Sequence, residues 1–284
     1  MRQEKAVDKA SLSNRDEVKF WRAQRFEEME CLSAKFVDHR YPSHIHDTYS
    51  IGVIIQGAEK FNCQGSTYIA PQGSIAALDP DIAHDGYPES DGFVYRMMYP
   101  SMELMANIHR DLTGKEALPH FKDIVYQDTA LAQRLMGLHT VLEGSKDSLE
   151  QDSAFALVLS DLIHRHTDRV NDFKQVGLEH GPIAQIRQYL DDMYAKDITL
   201  DELANLVGLN RHYMIRAFKK HTGLTPHAYQ NMRRAQSAKQ QLSRGNLAID
   251  VAMDCGFCDQ SHLNRVFKKH FGLTPVQYRN QFSH

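Results

Sequence analysis

The chain has 284 residues, a formal net charge of −3 and 42% hydrophobic residues. No stretch approaches about 18 consecutive apolar residues and no N-terminal signal sequence is present, which argues against a membrane protein and predicts a soluble, cytoplasmic one. The charge is uneven, because residues 181–284 carry 14 Lys and Arg against 8 Asp and Glu, whereas residues 1–180 carry 19 against 28. The basic C-terminal part is expected to bind a polyanion, with a membrane surface as the weaker alternative.

Short runs with β-strand character follow a polar segment at residues 1–18 and occupy residues 50–56, 73–78 and 92–98. Turn-forming residues separate them, at Gly57, Gln64-Gly65, Pro71-Gln72-Gly73, Asp79-Pro80-Asp81 and Asp85-Gly86. This alternation predicts a small β-barrel over residues 19–100. A barrel of this size has an interior that can hold one small ligand.

Two amphipathic segments follow within residues 101–166, and their apolar residues recur at helical spacing. The first stripe comprises Leu131, Leu135, Leu138, Val141 and Leu142, and the second comprises Phe155, Val158, Leu159, Leu162 and Ile163. The simplest interpretation is that both stripes pack on the barrel. A polar linker is expected at residues 167–181.

The C-terminal part contains an internal repeat. Residues 218–229 (FKKHTGLTPHAY) and 267–278 (FKKHFGLTPVQY) are identical at nine of twelve positions, 49 residues apart, so one structural unit occurs twice. Each copy follows a short apolar helix, a glycine (Gly208 or Gly256) and an N-capping residue (Asn210 or Asp259). The pattern predicts two helix-turn-helix units, with second helices over 211–221 and 260–270 that can enter the DNA major groove.

Each predicted second helix carries a polar stripe and a Lys-Lys pair. Arg, Gln and Asn can contact base edges, whereas flanking Lys residues suit phosphates. A solvated helix face is the alternative interpretation, but duplication at matched positions favours DNA recognition. The Cys255-x-x-Cys258 pair has no second pair nearby, so reduced thiols without zinc or redox function are expected.

Residues 182–282 resemble the DNA-binding domain of AraC/XylS-type bacterial transcription regulators, in which a long helix joins two helix-turn-helix units. The densest match lies in the second unit, at Ile249, Ala252, Gly256, Phe257, Asp259, Gln260, Ser261, Arg265, Phe267, Lys268, Lys269, Gly272, Thr274, Pro275, Tyr278 and Arg279. His262 and Leu263 depart from it, since the family usually has two aromatic residues there. The resemblance implies that Pro226 and Pro275 begin the helices after each unit, with a connector helix from Pro226 to about Ser243.

The resemblance also implies which residues meet DNA. Bases would be contacted by His212, Ile215, Arg216, Gln260, Ser261, Asn264 and Arg265. Phosphates would be contacted by Arg211, Lys219, Lys220, Lys268 and Lys269. Family members form dimers through helices beside the barrel, so a homodimer with part of one apolar stripe exposed in the isolated monomer is expected.

Residues 19–100 resemble the cupin-type effector domain of the same family, at His44-Ile45-His46-Asp47, Gly57, Pro71-Gln72-Gly73 and His84-Asp85-Gly86. Cupin enzymes hold a divalent metal with histidines at this spacing, but Ser50 stands where they usually have a Glu, and no metal or other cofactor is expected. We expect His44, His46 and His84 to contact a small-molecule effector instead.

The family's ligand-contact positions fall on Gln56, Arg96 and Met98, with Tyr49 and Tyr95 close by. The guanidinium of Arg96 would suit a carboxylate, so the expected effector is an amino acid or organic acid. The open alternative places Arg96 on the surface, paired with an acidic residue.

Together these features predict an α+β protein with a cupin-like barrel, flanking dimerisation helices and an all-α double helix-turn-helix domain at residues 182–284. Its expected function is sequence-specific transcription regulation, more often activation in the family, with double-stranded DNA, an effector and RNA polymerase as partners and no enzymatic activity. The alternatives are a metal-dependent cupin enzyme with a DNA-binding tail and an effector-independent DNA-binding protein.

Overall fold

The structure is a computed structural model that describes residues 12–167, 180–271 and 274–280. The chain divides into two compact units. The first comprises Met1–Gly144 and Val158–Lys174, and the second comprises Ser145–Leu157 and Gln175–His284. The first is built on an antiparallel sheet and the second is helical, which confirms the predicted α+β class.

The sheet of the first unit has eight antiparallel strands. They are β1 (Glu17–Ala23), β2 (Met29–Phe36), β3 (Tyr41–His44), β4 (Ser50–Cys63), β5 (Ser66–Pro71), β6 (Ile75–Leu78), β7 (His84–Tyr99) and β8 (Val125–Tyr126). The order is β1-β2-β7-β4-β6-β8, with β3 also paired to β7 and β5 to β4. Within the described residues this pairing does not close on itself, so the predicted barrel is an unclosed, strongly folded sheet.

Strands β4 and β7 are longer than the sequence predicted. The expected turn at Gly57 lies inside β4, where the backbone has φ +72° and an added Cβ would lie 2.1 Å from the Gly92 carbonyl oxygen. The expected turn at Asp85-Gly86 lies inside β7, where Gly86 pairs with Tyr41. Glycine here allows close strand approach rather than a chain reversal.

The β4–β5 connection is a two-residue hairpin. Gln64 and Gly65 both have positive φ, 51° and 78°, and Cys63 pairs with Ser66 across them. Two such residues match the right-handed twist of the flanking strands, so the predicted turn is present.

Three helices follow the sheet: α1 (Met102–Thr113), α2 (Thr129–Gly144) and α3 (Ser148–His166). Helix α2 packs on β1, β4 and β7. The described apolar stripes are buried in the monomer apart from half-buried Val141. The expectation of an exposed stripe is therefore wrong, and both stripes pack internally. The boundary between the two units falls within α3, after Leu157.

The second unit adds seven helices: α4 (His180–Asp192), α5 (Leu200–Val207), α6 (Arg211–Thr222), α7 (Pro226–Ser243), α8 (Ala248–Asp254), α9 (Gln260–Phe271) and α10 (Pro275–Asn280). Asn210 caps α6 by accepting a hydrogen bond from the Tyr213 amide at 2.7 Å. Pro226 begins α7, where the missing amide proton costs no helical hydrogen bond. Both helix-turn-helix units and their connector are therefore formed as predicted.

Two hydrophobic cores support these units. One gathers α4, α5 and α6 with Tyr229 of α7, and the other gathers α8 and α9 with Ala238 and Leu242 of α7. Helix α7 thus contributes to both cores. Among the described residues, no helix combines the length and apolar character needed to cross a membrane.

Candidate effector cavity and DNA interface

The folded sheet of the first unit encloses a cavity with about 420 Å³ of space between atoms, including its open mouth. Its lining is dominated by residues that can hydrogen-bond. They are Tyr41, His44, His46, Ser50, Glu59, His84, Asp85, Tyr95 and Tyr99, with Phe61, Ala76, Leu78 and Met97 supplying apolar surface. A concave site with convergent polar groups is typical of small-molecule recognition.

The three histidines form the centre of this lining. The Nε2 atoms of His44 and His46 are 3.1 Å apart. One ligating nitrogen from each of His44, His46 and His84 lies within 4.8 Å of the others. Burial lowers the pKa of His44 and of His84, which favours neutral imidazoles.

Acidic groups in the cavity are held in their protonated forms. Burial, with a contribution from Asp85, raises the pKa of Glu59 to about 8. The hydroxyl oxygens of Tyr41 and Tyr95 are 2.9 Å apart, and burial raises the pKa of Tyr95 well above its ordinary value. Near neutral pH the lining therefore offers hydrogen-bond donors with little charge, and no Lys or Arg lines the cavity as described.

Four of the eight residues predicted to contact the effector line this cavity, namely His44, His46, His84 and Tyr95. The other four lie elsewhere. Gln56 is exposed, Met98 is buried outside the cavity, and the Tyr49 hydroxyl donates to the Pro119 carbonyl at 2.8 Å.

Arg96 faces α2. Its Nη1 lies 2.9 Å from Glu143 Oε2 and 3.1 Å from His139 Nδ1. The placement of Arg96 in a ligand pocket was wrong, because side chains of a strand alternate between faces and Arg96 has the opposite parity to Tyr95. The alternative, an Arg96 paired with an acidic residue, is the observed arrangement.

The sequence interpretation missed Glu59, Tyr41 and Tyr99 as lining residues. Tyr99 could have been found, because it has the same parity as Tyr95 along β7. Glu59 could not, because β4 carries one extra residue between Ile54 and Gln56 relative to β7. This bulge reverses the face that later residues of β4 occupy, so that Ser50 and Glu59 both reach the cavity.

In the second unit, helix α9 presents an accessible polar stripe. Gln260, Ser261 and Arg265 are exposed and Asn264 is half-buried, while Leu263 and Phe267 on the opposite side are buried. The predicted phosphate contacts Lys219, Lys220, Lys268 and Lys269 are also exposed. This arrangement is suited to groove contact with flanking phosphate contacts.

Helix α6 differs from α9. His212 and Ile215, which were predicted to contact bases, are buried with 1% and 0% of their surface exposed. They cannot reach a base in this conformation, so the prediction is wrong for this state of the protein. Arg216 is half-buried, and Arg211 lies 3.7 Å from Asp201.

The chain matches two described families: the AraC-like ligand binding domain over residues 28–159 and the helix-turn-helix domain over residues 203–281. It is 31% identical to the uncharacterised HTH-type transcriptional regulator YbfI of Bacillus subtilis over 83% of this chain and 86% of that protein. It is 26% identical to the HTH-type transcriptional activator RhaS of Yersinia pestis over 82% of this chain and 87% of that protein. ToxT of Vibrio cholerae covers 90% of this chain and 99% of its own at 14% identity, with a TM-score of 0.36 that is too low to carry an argument.

Proposed function

This chain belongs to the AraC/XylS family of transcription regulators, and we propose that it reads specific DNA through α9 under the control of a small molecule bound in the cavity of its sheet domain. The observation that carries the proposal is the exposed polar stripe of α9. Its residues project from a helix whose other face is fixed in a hydrophobic core, so the reading groups are preorganised.

Two substitutions on α9 test the division between base and phosphate contacts. Arg265→Ala should weaken binding to the selected site by about 1 to 3 kcal/mol and relax its sequence preference. Lys268→Ala should weaken binding to all duplexes alike and lower the salt slope by about one. Affinity is measured on selected and random duplexes over a range of salt, with Arg244→Ala, an exposed charge outside α9, as the control. Identical behaviour of both variants on both duplexes would contradict the proposal.

The effector is proposed to be a small polar molecule. The cavity supports this through the protonated Glu59 carboxyl and the tyrosine hydroxyls, which donate to oxygen or nitrogen acceptors. An amino acid or organic acid remains the proposed class, but Arg96 cannot be its carboxylate partner. A thermal-shift screen of such molecules, followed by DNA-binding titrations with each hit, tests this step, since a true effector changes both.

Three further features are proposed from the family resemblance. The protein acts in the cytoplasm as a homodimer, and it recruits RNA polymerase as an activator. The printed description of RhaS as an activator supports the last point. Light scattering of the purified protein tests the dimer, and transcription from a promoter carrying the selected site tests activation.

A further inference from the structure

The first inference concerns the histidine cluster, and it rests on the proposed ligand-binding role of the cavity. We propose that His44, His46 and His84 hold a divalent transition-metal ion. Their ligating nitrogens lie within 4.8 Å of one another, and the Nε2 atoms of His44 and His46 are 3.1 Å apart. Ligands bound about 2.1 Å from one ion are separated by about 3 to 4 Å, so a small closure of the cluster is enough.

The hydrogen bonds around the cluster orient it for metal binding. His44 Nδ1 lies 2.7 Å from the Pro42 carbonyl oxygen, and His84 Nδ1 lies 2.9 Å from that of Ile82. A carbonyl can only accept, so each Nδ1 carries the proton and each Nε2 keeps its lone pair. Metal-binding histidines usually have this second hydrogen bond, because it fixes the tautomer and the ring orientation.

The chemistry of the cluster restricts which ion it takes. Three neutral imidazoles without a thiolate suit ions such as Zn²⁺, Co²⁺ or Ni²⁺ rather than Ca²⁺ or Mg²⁺. Three protein ligands leave a coordination position for water or an effector oxygen. A bound cation would also supply the positive charge that the described lining lacks, so an organic acid could bind without an arginine.

Metal analysis of untagged full-length protein tests the inference. After treatment with a chelator, the protein is loaded with Zn²⁺ or Co²⁺, passed through gel filtration and analysed for bound metal. Wild type and His120→Ala, which removes an exposed histidine of the same unit, should each retain about one ion per chain. His44→Ala and His84→Ala should bind at least tenfold more weakly, and the Co²⁺ absorption bands of wild type should disappear with them.

Wild type that retains no metal, or cluster variants that retain as much as wild type, would overturn the site. Trp21 fluorescence checks that each variant is folded, and His84→Gln offers a milder change if the alanine variant unfolds. DNA selection with the metal-free protein separates this result from the proposed function, because a regulator without metal would still select a motif.

A different observation carries a second inference, which rests on the proposed DNA-reading role of the repeat. His212 and Ile215 of α6 are the counterparts of Ser261 and Asn264 of α9, 49 residues further on. In α9 these positions are exposed or half-buried, whereas in α6 both are buried. The repeat thus acts as an internal control, and something covers the first reading face but leaves the second open.

The cover is the segment of residues 145–157, which belongs to the second unit. Leu149 and Ala156 of this segment share one hydrophobic core with Ile215. His212 hydrogen-bonds the Ala156 backbone, and burial lowers its pKa to about 3, so the ring is neutral beneath the segment.

A buried ion pair anchors the same segment to the connector helix. Asp147 Oδ2 lies 3.2 Å from Arg234 Nη1 and 3.6 Å from His227 Nε2. Arg234 also donates to the Tyr194 and Lys196 carbonyls at 2.7 and 2.9 Å. Burial alone would raise the pKa of Asp147, but these cationic partners hold it well below its usual range.

We infer that residues 145–157 are an autoinhibitory cover that keeps α6 from DNA until the segment is released. Because α3 continues from this segment into residues grouped with the sheet unit, the cover lies on a continuous helix that reaches the effector domain in sequence.

Selection from random-sequence duplexes tests the cover in ligand-free protein. Wild type should select one recognition box, whereas Asp147→Asn should select two boxes about one helical turn apart and bind them at least tenfold more tightly than wild type does. Asp192→Asn removes the same charge at an exposed site of this unit and should behave as wild type. Leu149→Ala loosens the segment while keeping the ion pair, and it should also select two boxes.

The same two-box motif with equal affinity in wild type and both segment variants would overturn the cover. Failure of every protein to select any motif would instead contradict the proposed function. Footprinting on a two-box duplex assigns the second box to α6, because Arg216→Ala in the Asp147→Asn background should then lose protection of that box only.

Discussion

Glu59→Gln should change how the stability of the sheet domain depends on pH. Burial raises the pKa of Glu59 to about 8 from an ordinary value of 4.5. Between these two values the folded protein keeps a proton that the unfolded chain releases. The stabilising contribution is therefore complete below about pH 4.5 and is lost as the pH rises to about 8.

The shift sets the size of the effect. At about 1.4 kcal/mol per pKa unit, the full difference corresponds to at most about 5 kcal/mol. Because Glu59 is half-buried and reaches solvent through the cavity mouth, we expect about 2 to 4 kcal/mol. Glutamine has no proton to release, so the variant should gain stability relative to wild type by this amount between pH 5 and pH 8.5.

Urea unfolding measures the difference, and the sequence provides a local probe. The chain has a single tryptophan, Trp21 of β1, so its fluorescence reports the unfolding of the sheet unit. Wild type and variant are compared at both pH values after treatment with a chelator, and Glu28→Gln serves as an exposed control. A stability difference between Glu59→Gln and wild type that stays constant across this range would refute the assignment of a protonated Glu59.

Three more outcomes follow from the helical unit. Gly256→Ala should destabilise the protein by about 2 kcal/mol or more in thermal unfolding, because φ is +77° and the new Cβ would lie 2.1 Å from the Ala195 carbonyl oxygen. Gly245→Ala, with φ +88° but open space around it, should cost less, about 1 kcal/mol. Asn210→Ala should cost about 1 kcal/mol through loss of the α6 cap. In a thiol-reagent assay of the native protein only Cys258 should react fast, since the other three cysteines are buried; four rapid thiols would contradict the described packing.

The helical half was largely predictable because its signals are local. Asn210 and Pro226 begin helices through hydrogen bonds and backbone constraints within a few residues of themselves. The repeat then supplied the architecture, since one helix-turn-helix unit predicts its copy.

The cavity was less predictable because its lining depends on strand register. Arg96 was assigned to the wrong face of β7, and Glu59 reaches the cavity only through a bulge that leaves no clear trace in the sequence. The burial of His212 depends on a segment more than 50 residues earlier, so no motif within α6 could have revealed it.

The bulge in β4 between Ile54 and Gln56 has a consequence for how sensors of this shape diversify. Deleting that one extra residue would turn Glu59 out of the cavity and bring its neighbours in, with every other side chain of the lining unchanged. Single-residue insertions and deletions at this point of the strand, rather than substitutions in the pocket, therefore offer a short route from one ligand to another.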